Sequence, residues 1–253
     1  MTGSLRKALV VDDNAINLKV AVKMLERLNY HSDTAVNGAE AVELFKQHRY
    51  DVILMDIQMP VMDGFEAVRT MRTLEGTVYH TTIIALTANT MAGDRERCLQ
   101  AGMDDYLAKP VKQTDINGII EKWSVPAPHS GFANIHSDVG QSSIIDPGRL
   151  DEIRDIGGDE LIRELLTLFL QDLEQCTAEI VRGTEAKDLQ TVNECAHKLK
   201  GSAANLGIES LRMWCESVEQ SARDQQLEAV IQQIVSLDGM KERIRSYITS
   251  THF

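Results

Sequence analysis

Two sets of residues in this 253-residue chain could do chemistry, one in each half. In the first half they interrupt short apolar runs. Asp12 and Asp13 follow LRKALVV, Asp56 follows DVILM, Thr87 follows TTIIAL and Lys109 follows DYLA. Three carboxylates brought together repel one another unless one is neutral or a cation lies among them. A hard divalent ion that takes oxygen ligands and keeps room for waters and a phosphoryl group fits Mg2+, with Mn2+ as a substitute. The set therefore predicts metal-assisted phosphoryl chemistry. Asp56 is the natural nucleophile because it stands alone at a central run's end. Lys109 and the metal would neutralise phosphoryl oxygens, and Thr87 would donate a hydrogen bond. In the second half the candidate is His197, in 196-AHKLKGSAANLG-207.

Taken one at a time these residues have ordinary roles. Asp13 or Asn14 could cap a helix, Thr87 could do the same, and Lys109 could be a solvated lysine. Their common position weighs against that. Over residues 5–123, five short apolar runs alternate with five amphipathic stretches. After Asn14, for example, Ile16, Val20, Met24 and Leu28 recur at helical spacing. DVILM is apolar throughout, as a strand covered on both faces must be. Strictly alternating strands and helices predict a parallel, doubly wound α/β domain, with helices over 64–73, 91–100 and 112–123. Ligands of such sheets bind outside the carboxyl ends of the strands, which is where all five residues fall.

Residues 125–144 are rich in proline, glycine and serine and have no periodicity, which predicts a flexible linker spanning roughly 25 Å. Beyond Asp146 there is no strand signal. A short lead-in helix near 147–155 and long helices over 159–183, 186–205, 208–223 and 226–249 are expected, folded into an antiparallel bundle. Leu189, Val192, Ala196, Leu199, Ala203 and Leu206 form a buried seam at spacings of three and four. His197 lies ~120° from that seam, facing solvent or a groove. A lone histidine there is most often an ordinary surface residue. Gly201 argues otherwise, since an exposed mid-helix glycine costs about 1 kcal/mol against alanine. It would clear the approach to the imidazole, and Lys200 would offset charge on a phosphorylated ring.

Composition sets outer bounds. A formal net charge of −12 without a lysine/arginine cluster argues against nucleic acid as partner. Apolar runs fall short of the ~20 residues of a membrane-spanning helix. The opening MTGSLRKALVVDDN turns acidic too early for a secretory signal. Four cysteines without a CxxC pair read as reduced thiols of a cytosolic protein.

VVDDN at 10–14, LMDIQMPVMDG at 54–64, LTAN at 86–89 and LAKP at 107–110 resemble the response-regulator receiver domain, in the form attached to hybrid sensor kinases. The resemblance implies a flavodoxin-like fold and Asp56 as phosphoacceptor. It implies a metal held by Asp12, Asp13, Asp56 and the Gln58 main-chain carbonyl. Thr87 and Tyr106 would be the switch pair, and the bond before Pro110 would be cis. The segment 197-HKLKGSA-203 with 205-NLG-207 resembles the histidine-containing phosphotransfer (HPt) domain, as does 157-GGDELIRELLTLFLQDL-173. That resemblance implies His197 as a second phosphoacceptor, supported by Lys200 and Gly201.

The chain is thus expected to be a receiver (1–124), a linker (125–144) and an HPt domain (145–253). Together they would be two stations of a multistep phosphorelay. An upstream histidine kinase domain would load Asp56, and His197 would pass the group to a downstream receiver. No kinase catalytic domain is found in the sequence. Receiver-then-HPt is the order at the end of hybrid kinases, so the C-terminal part of one is expected. Its place would be the cytoplasm, or the cytoplasmic face of the inner membrane if the kinase is membrane-bound. One alternative is a receiver acting only as a phosphorylation-dependent binding switch. A haloacid-dehalogenase-like phosphatase is disfavoured because Gln58 stands where that family places a second aspartate. A flavodoxin-like cofactor binder lacks a phosphate cradle in the first loop.

Overall fold

The computed structural model describes residues 6–76, 79–87, 92–124 and 144–250. Most of the expected linker, and Ala88 and Asn89 of the LTAN motif, lie outside the described residues. In the first half, β1 (Arg6–Val11), β2 (Tyr30–Ala35), β3 (Val52–Asp56), β4 (Thr82–Thr87) and β5 (Asp105–Ala108) alternate with α1 (Ala15–Glu26), α2 (Gly38–Gln47), α3 (Gly64–Glu75), α4 (Ala92–Gln100) and α5 (Gln113–Ser124). All strand pairs are parallel, in the order β2-β1-β3-β4-β5.

The strands' period of two explains the two-sided core. Ala8, Val10, Val52, Leu54, Ile84 and Leu86 face one layer, with α1 and α5 residues such as Ile16, Met24 and Ile116. Leu9, Val11, Ile53, Met55, Ile83 and Ala85 face the other, with Val42, Phe45, Val68, Met71 and Cys98. Every residue of β3 is buried. The α1/α5 layer does not end at the domain edge. It runs on through Ile145, Leu150 and Ile153 into the helical half.

That half contains α6 (Pro147–Ala186), α7 (Leu189–Leu206), α8 (Glu209–Arg223), α9 (Leu227–Ile234) and α10 (Leu237–Ser250). The lead-in helix and the first long helix meet within α6 at Gly158, whose φ of 72° and ψ of −174° are not helical, so the two are separated where the sequence places their boundary. The last expected helix is broken after Ile234. The Gln233 carbonyl is drawn off by the Trp214 indole at 3.0 Å and the Ser236 hydroxyl at 3.0 Å, which compete with the helical ladder. The seam residues of α7 are all buried, most of them completely, against α6 and α8.

Candidate phosphoryl site at the domain junction

The fold brings the five polar residues of the first half together. Asp12 immediately follows β1, Asp56 is the last residue of β3, and Thr87 the last of β4. The Lys109 amide donates to the Thr87 carbonyl at 2.8 Å, tying the end of β5 to the end of β4. The Lys109–Pro110 bond is cis. Gly64 lets the β3–α3 loop fold back, since a Cβ there would lie 2.2 Å from the Asp56 carbonyl oxygen. Gln58 lines the same cleft, and its amide reaches Asp56 Oδ1 at 3.4 Å. Tyr106 is half-buried against the second core layer.

One carboxylate oxygen from each of Asp12, Asp13 and Asp56 lies within 4.8 Å of the others. The Lys109 ammonium sits 2.7 Å from Asp12 Oδ2 and 2.8 Å from Asp56 Oδ2. Burial opposes that ammonium's charge, but Asp12 and Asp56 overcome it and hold Lys109 above the ordinary lysine value. One ammonium does not balance three carboxylates. Asp56 is pushed well above the usual carboxylate range, by burial first, with Asp12 adding and Lys109 opposing. Asp13 is pushed up to about 6 by burial and then by Asp12. Clustered oxygens and surplus negative charge together fit a hard divalent cation.

His197 projects from α7 into the same cleft, about 640 Å³ in volume, which is also lined by Asp13, Asp56, Thr87, Arg97 and Lys198. Its Nδ1 lies 2.9 Å from Glu219 Oε1 on α8. Glu219 is buried and also pairs with Lys200 and Arg223. Burial alone would raise its carboxyl, but hydrogen bonds from His197 and Lys200 overcome that and bring it down to about 2. An ionised Glu219 can only accept, so Nδ1 carries a proton, and in the neutral ring Nε2 is then the nitrogen with the lone pair. Lys200 therefore has a carboxylate partner before any phosphoryl group arrives. Gly201 is covered too: a Cβ there would meet Asn17 Nδ2 at 3.4 Å, from the first domain's α1, and Nδ2 of Asn14, the residue that caps it, at 3.7 Å. None of the four cysteines is in a disulfide, and Cys195 is the partly exposed one.

The residues not foreseen are those that make the junction. Of the two cap candidates, Asp13 and Asn14, it is Asn14 that caps α1 through Oδ1, and its Nδ2 donates across the junction to the Lys198 carbonyl at 3.0 Å and Ser202 Oγ at 2.7 Å. Glu219 had left one trace in the sequence. It sits on the apolar stripe of α8 with Leu211, Cys215, Val218 and Ala222, where a carboxylate needs cationic partners.

An acidic, lysine-bearing site at the carboxyl edge of a parallel sheet, faced by a histidine from a helical bundle, defines the receiver-plus-phosphotransfer class of two-component signalling modules. The chain belongs to the response regulator receiver domain family over residues 8–121 and to the Hpt domain family over residues 164–247. It is 33% identical over 221 residues to the signal transduction histidine-protein kinase BarA of Escherichia coli K12, covering 85% of this chain and 24% of that protein. With the sensor protein GacS of Pseudomonas syringae pv. syringae it shares 32% over 225 residues, covering 84% and 24%. The chain thus spans about a quarter of the length of these relatives. The receiver domain of sensor histidine kinase PA1611 from Pseudomonas aeruginosa, solved with magnesium coordinated in its active-site cleft, is 45% identical, with a TM-score of 0.44, covering 47% of this chain and 98% of that one. The two domains are those of a multistep phosphorelay, and the dehalogenase-like alternative has no support. No described helix is long and apolar enough to cross a membrane.

Proposed function

We propose that Asp56 accepts a phosphoryl group from a phosphohistidine and exchanges it with His197, which passes it to a downstream receiver. The observation that carries this reading is that Asp56 and His197 line one cleft across the junction of their domains. Asp12, Asp13, Asp56 and the Gln58 carbonyl would hold Mg2+, which supplies charge neutralisation for phosphoryl oxygens when bound. Lys109 holds the acidic cluster together from the protein side. Thr87, at the end of β4, stands where a hydroxyl can donate to a phosphoryl oxygen. Thr87 and Tyr106 together would report the state of the site to the second core layer.

In the exchange the Asp56 O–P bond breaks, and its electron pair returns to the carboxylate. The N–P bond forms at Nε2 of His197. The imidazole keeps its Nδ1 proton and becomes cationic, and Glu219 stabilises that charge. No separate base is needed, because the attacking nitrogen carries no proton. The domain limits proposed are receiver 1–124, linker 125–144 and HPt 145–253. The upstream partner is a histidine kinase domain, as in the hybrid kinases that match this chain, and the setting is cytoplasmic.

The test is labelling with a small acyl-phosphate donor and magnesium in the wild type, Asp56→Ala and His197→Gln. Label should reach both residues in the wild type and Asp56 alone in His197→Gln. No label should appear in Asp56→Ala. Label on His197 without Asp56 would overturn the proposed order.

A further inference from the structure

An unbroken hydrogen-bonded chain crosses from the helical half into the acidic site. It starts at Arg149, near the start of α6 and 6% exposed. The Arg149 Nε donates to the Asn205 carbonyl at 2.9 Å, and Nη2 donates to Asn205 Oδ1 at 3.0 Å. The same Nη2 donates to the Val111 carbonyl at 3.2 Å, two residues past Lys109. Nη1 is held by Glu152 at 2.5 Å. Asn205 then donates through Nδ2 to Asn17 Oδ1 at 2.5 Å. Asn17 donates to both oxygens of Asp12, at 2.9 and 3.0 Å. One turn back on α7, Asn14 bonds Ser202 and the Lys198 carbonyl. Asn14, Asn17, Ser202, Asn205 and Arg149 are all buried.

We infer that this seam is a latch that seats the chain's own receiver on α7 and shuts His197 away from any second receiver. The inference rests on the proposed role of His197. The 198/201/202/205 stripe of α7 is one helix face, and the start of α1 lies against it, close enough that a Cβ at Gly201 would meet Asn17 Nδ2 at 3.4 Å. A second receiver reaching His197 with its own acidic site must take the same face, so the two occupants exclude each other. The seam also sets register. A buried amide or guanidinium left without its partner is disfavoured, so an occupant is accepted only if it presents acceptors and donors where Asn14, Asn17 and the Val111 carbonyl do. Because Asn17 ends on Asp12 and Arg149 on the Val111 carbonyl, the latch closes only when the first and last strand-end loops of the receiver are in place together.

The test reads access to His197 and needs no phosphoryl chemistry. The whole chain is treated with diethyl pyrocarbonate, and acylation of His197 is followed by peptide mass spectrometry against exposed His31 as internal reference. The variants are Asn205→Leu and Arg149→Met on the helical side and Asn17→Leu on the receiver side, with circular dichroism to confirm that each is folded. The expected result is a His197 rate far below that of His31 in the wild type. Each variant should raise it by on the order of tenfold, the effect of losing one typical buried hydrogen bond on a two-state equilibrium. The Asn17→Leu change lies outside the bundle, so a rise there cannot come from a damaged bundle. Wild-type His197 reacting as fast as His31, or folded variants leaving its rate unchanged, would overturn the latch. Failure of the phosphoryl assignments would leave these rates as they are.

Discussion

Glu219 Oε1 lies 2.9 Å from His197 Nδ1, and the same buried carboxylate is the partner of Lys200 and Arg223. One anion from α8 thus fixes which ring nitrogen is protonated and gathers the cations around it. Glu219 is a positioning residue that acts through His197. Glu219→Gln should slow phosphoryl exchange by about 10- to 100-fold, the usual scale for losing a group that orients a reactive imidazole. Glu219→Asp should recover part of the rate. Single-turnover transfer measured beside thermal unfolding checks this, since a purely structural role would move the melting temperature and leave the rate of the folded fraction unchanged.

The same carboxyl predicts an acid dependence of stability. Its folded value is about 2 against an ordinary 4.5. A depressed carboxyl stabilises the fold fully above the unfolded value, and loses that contribution as pH falls through the folded value. At about 1.4 kcal/mol per unit, the contribution is on the order of 3 kcal/mol. Urea unfolding at pH 6 and at pH 2.5 should show a smaller acid loss in Glu219→Gln than in the wild type. An equal loss in both would remove Glu219 from the account.

Lys109 is the cation that the acidic cluster relies on when no metal is bound. Lys109→Met should destabilise the metal-free chain by about 3 kcal/mol, the scale for breaking a buried ion pair. Magnesium should recover more stability in the variant than it adds to the wild type, by denaturant titration with and without the ion. Chelation of the metal in the wild type should stop labelling of Asp56 while leaving circular dichroism unchanged.

Gly201 separates the bundle from the junction. A Cβ at 3.4 Å from Asn17 is an ordinary contact, so Gly201→Ala should fold well and gain up to about 1 kcal/mol of helix preference. Gly201→Phe should push α1 away and slow exchange between Asp56 and His197, with the helical content of the bundle retained. Equal exchange rates in both variants would show that α1 does not rest there during transfer.

What could be read from the sequence were features that local periodicity encodes. Asp12, Asp56, Thr87 and Lys109 each end or follow an apolar run, and the parallel sheet turns that shared position into a site. The α7 seam followed from spacings of three and four. Contacts between distant segments carried no such signal. Asn17 and Asn205 are 188 residues apart, and each alone reads as a polar helix residue. The interruption at Gly158 falls between the helices expected over 147–155 and 159–183, whereas the break after Ile234 depends on the Trp214 indole, which does not alter the apolar pattern. Gly201 was legible as a clearance, but the sequence did not say that the chain's own α1 fills it.

In the proposed function Asp56 and His197 exchange a phosphoryl group within one chain. This exchange is tested most directly by the rate of transfer from phosphorylated Asp56 to His197 at chain concentrations varied over a hundredfold. An equimolar mixture of Asp56→Ala and His197→Gln serves as the between-chain control. A first-order rate independent of concentration is expected in the wild type, and slower, concentration-dependent transfer in the mixture. A wild-type rate that scales with concentration and matches the mixture would contradict it.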